Sequence, residues 1–288
     1  MVSKDIEHHQ VLVIGAGPGG STTAQRLAEQ GIDAVVLEKR QVVGNPAQCG
    51  ECVAEWGEVV GTFPKVKQDP WLEEHFDFPE RVKLHSLEWM RVFAPSGKSW
   101  GFELDAFAAH RLQFDGMLAD RAVDAGADIR TDTALTNIVT GRKDGKDLYV
   151  TDNGRYTADV VIDASGSLAH VARLRGGFQG GDQVPTIYAQ ASGDMPDSFD
   201  IFLGAVAPKG YAWIIPKGKN LANVGLGVKA GTLKGTLKGH LQRFCDELDL
   251  TIHSWGGGWI PMDGPVKRLV NDNVLAVGDA AGLVMASN

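Results

Sequence analysis

Val11-Leu-Val-Ile14 is a continuous apolar run of the kind that forms a strand buried on both faces, and Gly15-Ala16-Gly17-Pro18-Gly19-Gly20 follows it at once. Ser21 to Gln30 then reads as a helix ending before Gly31, and a second apolar run, Ala34 to Leu37, stops at Glu38. No other stretch constrains the chain as much. Strand, glycine turn, helix and strand in that order start a parallel sheet, so the fold class is α/β with a Rossmann-like first unit. The G-x-G-x-x-G spacing lets the helix N-terminus approach a pyrophosphate, and the acid closing the second strand can accept a hydrogen bond from an adenosine ribose. Gly15, Gly17, Gly19, Gly20 and Glu38 are therefore expected to bind a dinucleotide.

The remaining composition narrows the function classes. The 288 residues carry a net charge of -8 with no basic block, which argues against a nucleic-acid surface or a polybasic membrane patch. The start of the chain is polar, and no apolar stretch approaches the roughly 18 residues that span a bilayer, so a cytoplasmic protein is expected. The three cysteines fit a reducing compartment. Two of them form Cys49-x-x-Cys52, which reads as a redox dithiol, half a zinc site or two unremarkable thiols. No second cluster has matching spacing, so no metal is expected.

Further along, Gly44 to Pro79 reads as loop with short helices. Arg81 to Phe93 and Ser99 to Leu104 read as a hairpin around Pro95-Ser96-Gly97. Ala106 to Ala125 has helical spacing, and Thr133 to Ile162 reads as a three-stranded meander with turns at Lys143-Asp-Gly-Lys146 and Asp152-Asn-Gly154. Strand-like runs at Tyr211 to Ile215 and Asn223 to Val228 precede a helix over Lys234 to Leu248, and Val274-Leu-Ala-Val277 returns the chain to the first sheet. The two layers are thus interleaved. The dinucleotide-binding domain is expected over 1–80, 105–180 and 270–288, and a mixed antiparallel substrate-binding layer over 81–104 and 181–269.

Val160-Val-Ile-Asp-Ala-Ser-Gly166 and Asn273-Val-Leu-Ala-Val-Gly-Asp-Ala-Ala-Gly282, following that glycine motif, resemble the para-hydroxybenzoate-hydroxylase-like FAD superfamily. The resemblance implies FAD, with Asp279 on the ribityl chain, Arg111 near the phosphate or ribityl region, and the backbone of Leu135 at the adenine. Without the resemblance, Arg111 reads as a solvated helix charge and Asp279 as a helix N-cap. Within that superfamily Gly44-Asn-Pro-Ala-Gln-Cys-Gly-Glu51, Gly210-Tyr-Ala-Trp-Ile-Ile-Pro-Lys217 and Gly278 to Asn288 resemble the geranylgeranyl reductases, including archaeal digeranylgeranylglycerophospholipid reductases. The first segment implies that Gln48 and Cys49 neighbour the flavin, with Cys49 the candidate catalytic residue and Cys52 a candidate disulfide partner. The second implies that Tyr211 and Trp213 line a substrate cavity, although alternating aromatics on a strand also pack cores; Ile215 stands where the family has Phe. Lys217 reads as solvated.

The resemblance implies reduction of isolated double bonds in geranylgeranyl groups of a membrane lipid or prenyl precursor. One dinucleotide fingerprint implies that the electron donor, NADPH or a ferredoxin, visits transiently. A polyprenyl lipid partner and peripheral membrane contact follow from the same resemblance. Relatives continue beyond the Gly-Asp-Ala-Ala-Gly motif with a glycine-rich stretch and a helical region, so a C-terminally truncated fold is expected. The alternatives are an FAD-dependent aromatic or quinone-type monooxygenase on the same fold and an inactive FAD-binding fragment.

Overall fold

A computed structural model describes residues 5–142, 145–175 and 183–284. In chain order its elements are β1 (Glu7–Ile14), α1 (Pro18–Glu29), β2 (Ala34–Leu37), β3 (Cys52–Ala54), α2 (Trp56–Thr62), α3 (Pro70–His75), β4 (Lys83–Phe93), β5 (Ser99–Ala109), α4 (Arg111–Asp124), β6 (Asp128–Arg130), β7 (Leu135–Val139) and β8 (Leu148–Thr151). There follow β9 (Arg155–Asp163), α5 (His170–Arg175), β10 (Gln183–Ser192), β11 (Phe199–Gly204), β12 (Ala207–Pro216), β13 (Leu221–Gly227), α6 (Leu237–Glu247), β14 (Thr251–Pro261), β15 (Val270–Asn271) and β16 (Val274–Ala276). The chain divides into two units: residues 1–46, 114–183 and 259–288 in the first, and 47–113 and 184–258 in the second.

The sheet of the first unit has the order β15-β16-β9-β1-β2-β6, with β7 and β8 forming an antiparallel meander onto β9. β1 pairs in parallel with both β2 and β9, as the buried apolar run requires: Leu12 and Val13 are fully buried. The meander matches its expected place, although Lys143 and Asp144 of its first turn lie outside the described residues, as do 285–288. Val274 to Ala276 returns in parallel beside β9, as the repeated apolar signature indicated.

The sheet of the second unit runs β14-β10-β13-β12-β11-β4-β5-β3. Its two faces differ. Ala189, Ala212, Ile214, Val224 and Leu226 pack with Leu241, Phe244 and Cys245 of α6 into a dry core. Leu87, Ala106, Ala108, Tyr188, Trp213 and Ile215 cluster separately.

Three expectations need correction. The helix expected from Ala106 begins at Arg111, because Ala106 to Ala109 extend β5 and are buried between β3 and β4. Residues 47–80 and 105–113, expected with the dinucleotide-binding domain, belong to the second unit, where β3 pairs with β5, and 259–269, expected in the substrate-binding layer, belong to the first. β14 was not expected, because Gly256-Gly257-Gly258 removes the side chains on which an alternating pattern depends.

Candidate functional site

In the first unit the glycine motif forms the turn into α1. Gly15 has φ 103°, and a Cβ on Gly20 would lie 1.9 Å from the Gly15 carbonyl oxygen, so this close turn excludes larger residues. A Cβ on Gly17 would meet nothing within 4 Å, which leaves open space beside the loop. Gly17 caps α1 with no side-chain bond, Pro18 occupies the first turn and no acidic residue of the helix does, so no side chain of α1 itself occupies its N-terminal backbone N–H groups. Gly19 sits in that first turn.

Glu38 is 7% exposed and oriented from both sides: its Oε2 accepts the Ala16 N–H at 2.8 Å and its Oε1 the Arg40 N–H at 2.9 Å. A carboxylate keeps acceptor capacity after two such bonds, so ribose hydroxyls remain within its reach. These features fit a dinucleotide phosphate and ribose, which is the portion of FAD that such a turn would hold.

Leu135 opens β7, and its carbonyl oxygen lies 2.9 Å from His170 Nε2. His170 is itself held, its N–H donating to Ser165 Oγ at 2.6 Å while Ser165 Oγ donates to Asp163 Oδ1. Asp163 is fully buried and also receives the Ala172 N–H. Asp163 therefore ties the end of β9 to α5, a role no local motif had indicated. Asp279 is exposed in the short turn Gly278–Ala281. Arg111 is the first residue of α4 and falls within the second unit.

In the second unit Cys49 and Glu51 sit on a loop fastened to the sheet by side chains far apart in sequence. Glu51 is 4% exposed, with φ 75°. Its Oε2 accepts from Lys217 Nζ at 2.9 Å, Gln190 Nε2 at 3.0 Å and Asn223 Nδ2 at 3.2 Å. Asn223 Nδ2 also reaches the Cys49 carbonyl, while Asn223 Oδ1 accepts from Trp213 Nε1 at 2.8 Å. Tyr188 donates its hydroxyl to the Ala47 carbonyl. Lys217 is thus a largely buried ion-pair partner rather than the solvated residue expected from its turn. Gln48 is exposed beside this loop.

Both cysteines of the pair are free thiols. Burial, and more weakly the nearby Cys49 and Glu58 charges, push the Cys52 thiol up to about 12. Burial and then the Cys49 charge push the Tyr211 phenol up to about 12, so Tyr211 keeps its proton at neutral pH.

The register puts Trp213 and Tyr211 on the face opposite α6. Ile201 pairs with Trp213 and Leu203 with Tyr211; Ile201 pairs in turn with Val92, Val92 with Trp100, and Met90 with Phe102. These side chains share one sheet face, along which exposure rises from 5% at Trp213 to 50% at Phe102 and 53% at Trp100. Trp213 lies flat because β13 carries Gly225 opposite it, where a Cβ would come within 2.3 Å of the indole. A cleft of about 440 Å³ elsewhere in this unit is lined by Glu58, Glu88, Glu103 and Asp105. Its acidic wall does not suit an apolar ligand.

A family model of the geranylgeranyl reductase catalytic domain matches residues 185–254, and one of an NAD(P)-binding Rossmann-like domain matches residues 13–60. The digeranylgeranylglycerophospholipid reductase of Methanothrix thermoacetophila is 33% identical over 284 residues, covering 94% of this chain and 70% of that protein. The chain belongs to the geranylgeranyl reductase family. A geranylgeranyl bacteriochlorophyll reductase-like structure from Thermoplasma acidophilum superposes with a TM-score of 0.85 at 25% identity, over 98% of this chain and 73% of that one. The flavin-dependent brominase Bmp2 shares the fold alone, with a TM-score of 0.68 at 18% identity over 95% of this chain and 72% of that one. As a geranylgeranyl reductase family member the chain is an FAD-dependent oxidoreductase, as its motifs had implied.

Proposed function

We propose that this chain reduces isolated double bonds of geranylgeranyl groups carried by a membrane lipid or prenyl precursor. Family membership sets the reaction class, and the observation that carries the substrate class is the apolar face running from Tyr211 and Trp213 through Ile201 and Val92 to Trp100 and Phe102. A polyprenyl chain offers many apolar carbons and no hydrogen-bonding group, so it is recognised by length of apolar contact.

When bound and reduced by its electron donor, FAD would supply the hydride that an unactivated alkene needs. In this reading Gly15, Gly17, Gly19 and Gly20 hold its pyrophosphate and Glu38 its ribose. Leu135 meets the adenine, and Arg111 and Asp279 serve the phosphate and ribityl regions. Gln48 and Cys49 are assigned to the cofactor, and Tyr211 and Trp213 to the substrate. Cys49 carries the proton for the second alkene carbon, and Tyr211 stays a neutral O–H donor rather than a phenolate. The apolar face excludes water from the reacting carbons. The single dinucleotide fingerprint in the sequence supports a donor that visits transiently, NADPH or a ferredoxin-type protein. No described helix is long and apolar enough to cross a membrane, so the reading places any lipid contact at the periphery.

The test is product analysis: FAD-loaded protein, dithionite and a geranylgeranyl lipid are incubated without oxygen, and the lipid is examined by mass spectrometry. The lipid gains a pair of hydrogens for each bond reduced. An unchanged lipid, with oxygen and a small aromatic compound consumed instead in a parallel aerobic assay with NADPH, overturns the proposal in favour of a monooxygenase.

A further inference from the structure

Glu51 combines two unfavourable choices. It is a non-glycine residue in the left-handed region, and its carboxylate is buried in an ion pair with Lys217, whose side chain is only 11% exposed. Left-handed backbone costs energy at any residue with a Cβ, and a buried ion pair rarely stabilises a fold more than apolar side chains of the same volume. A glycine and an apolar pair would serve stability better.

What the arrangement does is hold Cys49. The Glu51 N–H points back to Cys49 Sγ at 3.2 Å. The Glu51 carbonyl accepts the Ala109 N–H at 2.7 Å, and Asn223 holds the Cys49 carbonyl. Gly50 packs against Ile215 and Trp213, so a Cβ there would stand 3.1 Å from Ile215 Cδ1. The donors to the Glu51 carboxylate come from β10, from β13 and from the residue that follows β12. Rotation of Cys49 or of its peptide would break several of these bonds together.

We propose that Glu51, Lys217 and Asn223 are positioning residues that fix the Cys49 thiol in one orientation. The purpose of that orientation rests on the reading of Cys49 as the proton-bearing group of the reductase. Without Lys217 the buried carboxylate loses its counter-charge, the Glu51 side chain turns outward, and the loop that holds Cys49 loosens.

The experiment compares iodoacetamide labelling of Cys49 and Cys245 in the full chain, peptide by peptide, across a pH series. Cys245 is fully buried on the core face of α6 and reports general opening. In Lys217→Met the high-pH plateau rate at Cys49 rises about tenfold while Cys245 is unchanged, because one loop opens locally. Lys217→Arg restores most of the protection. The double variant Glu51→Gln/Lys217→Met, which leaves no unpaired charge, keeps the test available if the single variant fails to fold, and it too raises the Cys49 to Cys245 ratio. A ratio unchanged in a folded variant overturns the proposal. If the ratio rises but reduction of the lipid per bound flavin is unaffected, the clamp stands and the catalytic reading of Cys49 falls.

Discussion

The two units hold their candidate site residues by opposite means. In the first, the turn after β1 and the acid after β2 lie within one short stretch, and backbone atoms do most of the work: Glu38 is oriented by the Ala16 and Arg40 amides. In the second, the Cys49 loop is held by side chains from Gln190, Lys217 and Asn223, brought together only by the order of strands β10, β13 and β12. A backbone site is rigid and general, suited to a cofactor shared by many families. A side-chain site can be retuned residue by residue without changing the sheet, which suits the part of the protein that meets a particular substrate.

That contrast can be broken at several places. The largest effect is expected at Gly20→Ala, whose Cβ would run into the Gly15 carbonyl. FAD affinity, followed by flavin fluorescence, should fall at least about a hundredfold if this turn holds the phosphate as proposed, because it has no flexible neighbour to move aside. Lys217→Met comes next: removing one partner of a buried pair should cost about 3 kcal/mol in urea unfolding, and the double variant with Glu51→Gln should recover part of it. If the single and double variants were equally stable, the second unit would not depend on the ion pair as described.

Smaller effects sharpen the comparison. Trp100 and Phe102 are half exposed, so replacing both by Ser should change stability by no more than about 0.5 kcal/mol. The KM for a long polyprenyl lipid should nevertheless rise about tenfold, while a short prenyl substrate that reaches only Tyr211 and Trp213 is unaffected. The smallest effect is at Tyr149, fully buried in the first core with a hydroxyl that finds no partner among the described residues. Tyr149→Phe should be neutral or stabilise by about 0.5 kcal/mol. Burial pushes that phenol up to about 12 from 10, so the folded state disfavours the phenolate that the unfolded chain forms. Stability from this group is complete below pH 10 and is lost as pH rises towards 12; the variant should flatten that limb of a urea-midpoint profile.

How much was legible follows the same division. β1, α1, β2 and Glu38 could be read because their signal is consecutive: an apolar run, glycines, a helix and an acid. The hairpin of β4 and β5 and the meander were legible from alternation and turn residues. Lys217 was not, since a lysine after Pro216 looks solvated until the fold brings Glu51 to it across a long separation in sequence. Nor was the end of β5, where Ala106 to Ala109 suit a helix by propensity and are recruited to a strand by burial on both sides. Asp163 stands within the Val160–Gly166 motif, but its grip on Ser165 and α5 depends on the turn it shapes.

The most direct test of the central claim is anaerobic reoxidation of the dithionite-reduced, FAD-loaded protein by a geranylgeranyl lipid, read from return of the oxidised-flavin absorption band. The account predicts that the lipid restores the band without oxygen, and that a fully saturated lipid of the same head group does not. Reduced flavin that stays reduced in the presence of the unsaturated lipid, yet is reoxidised on admitting air, would contradict it.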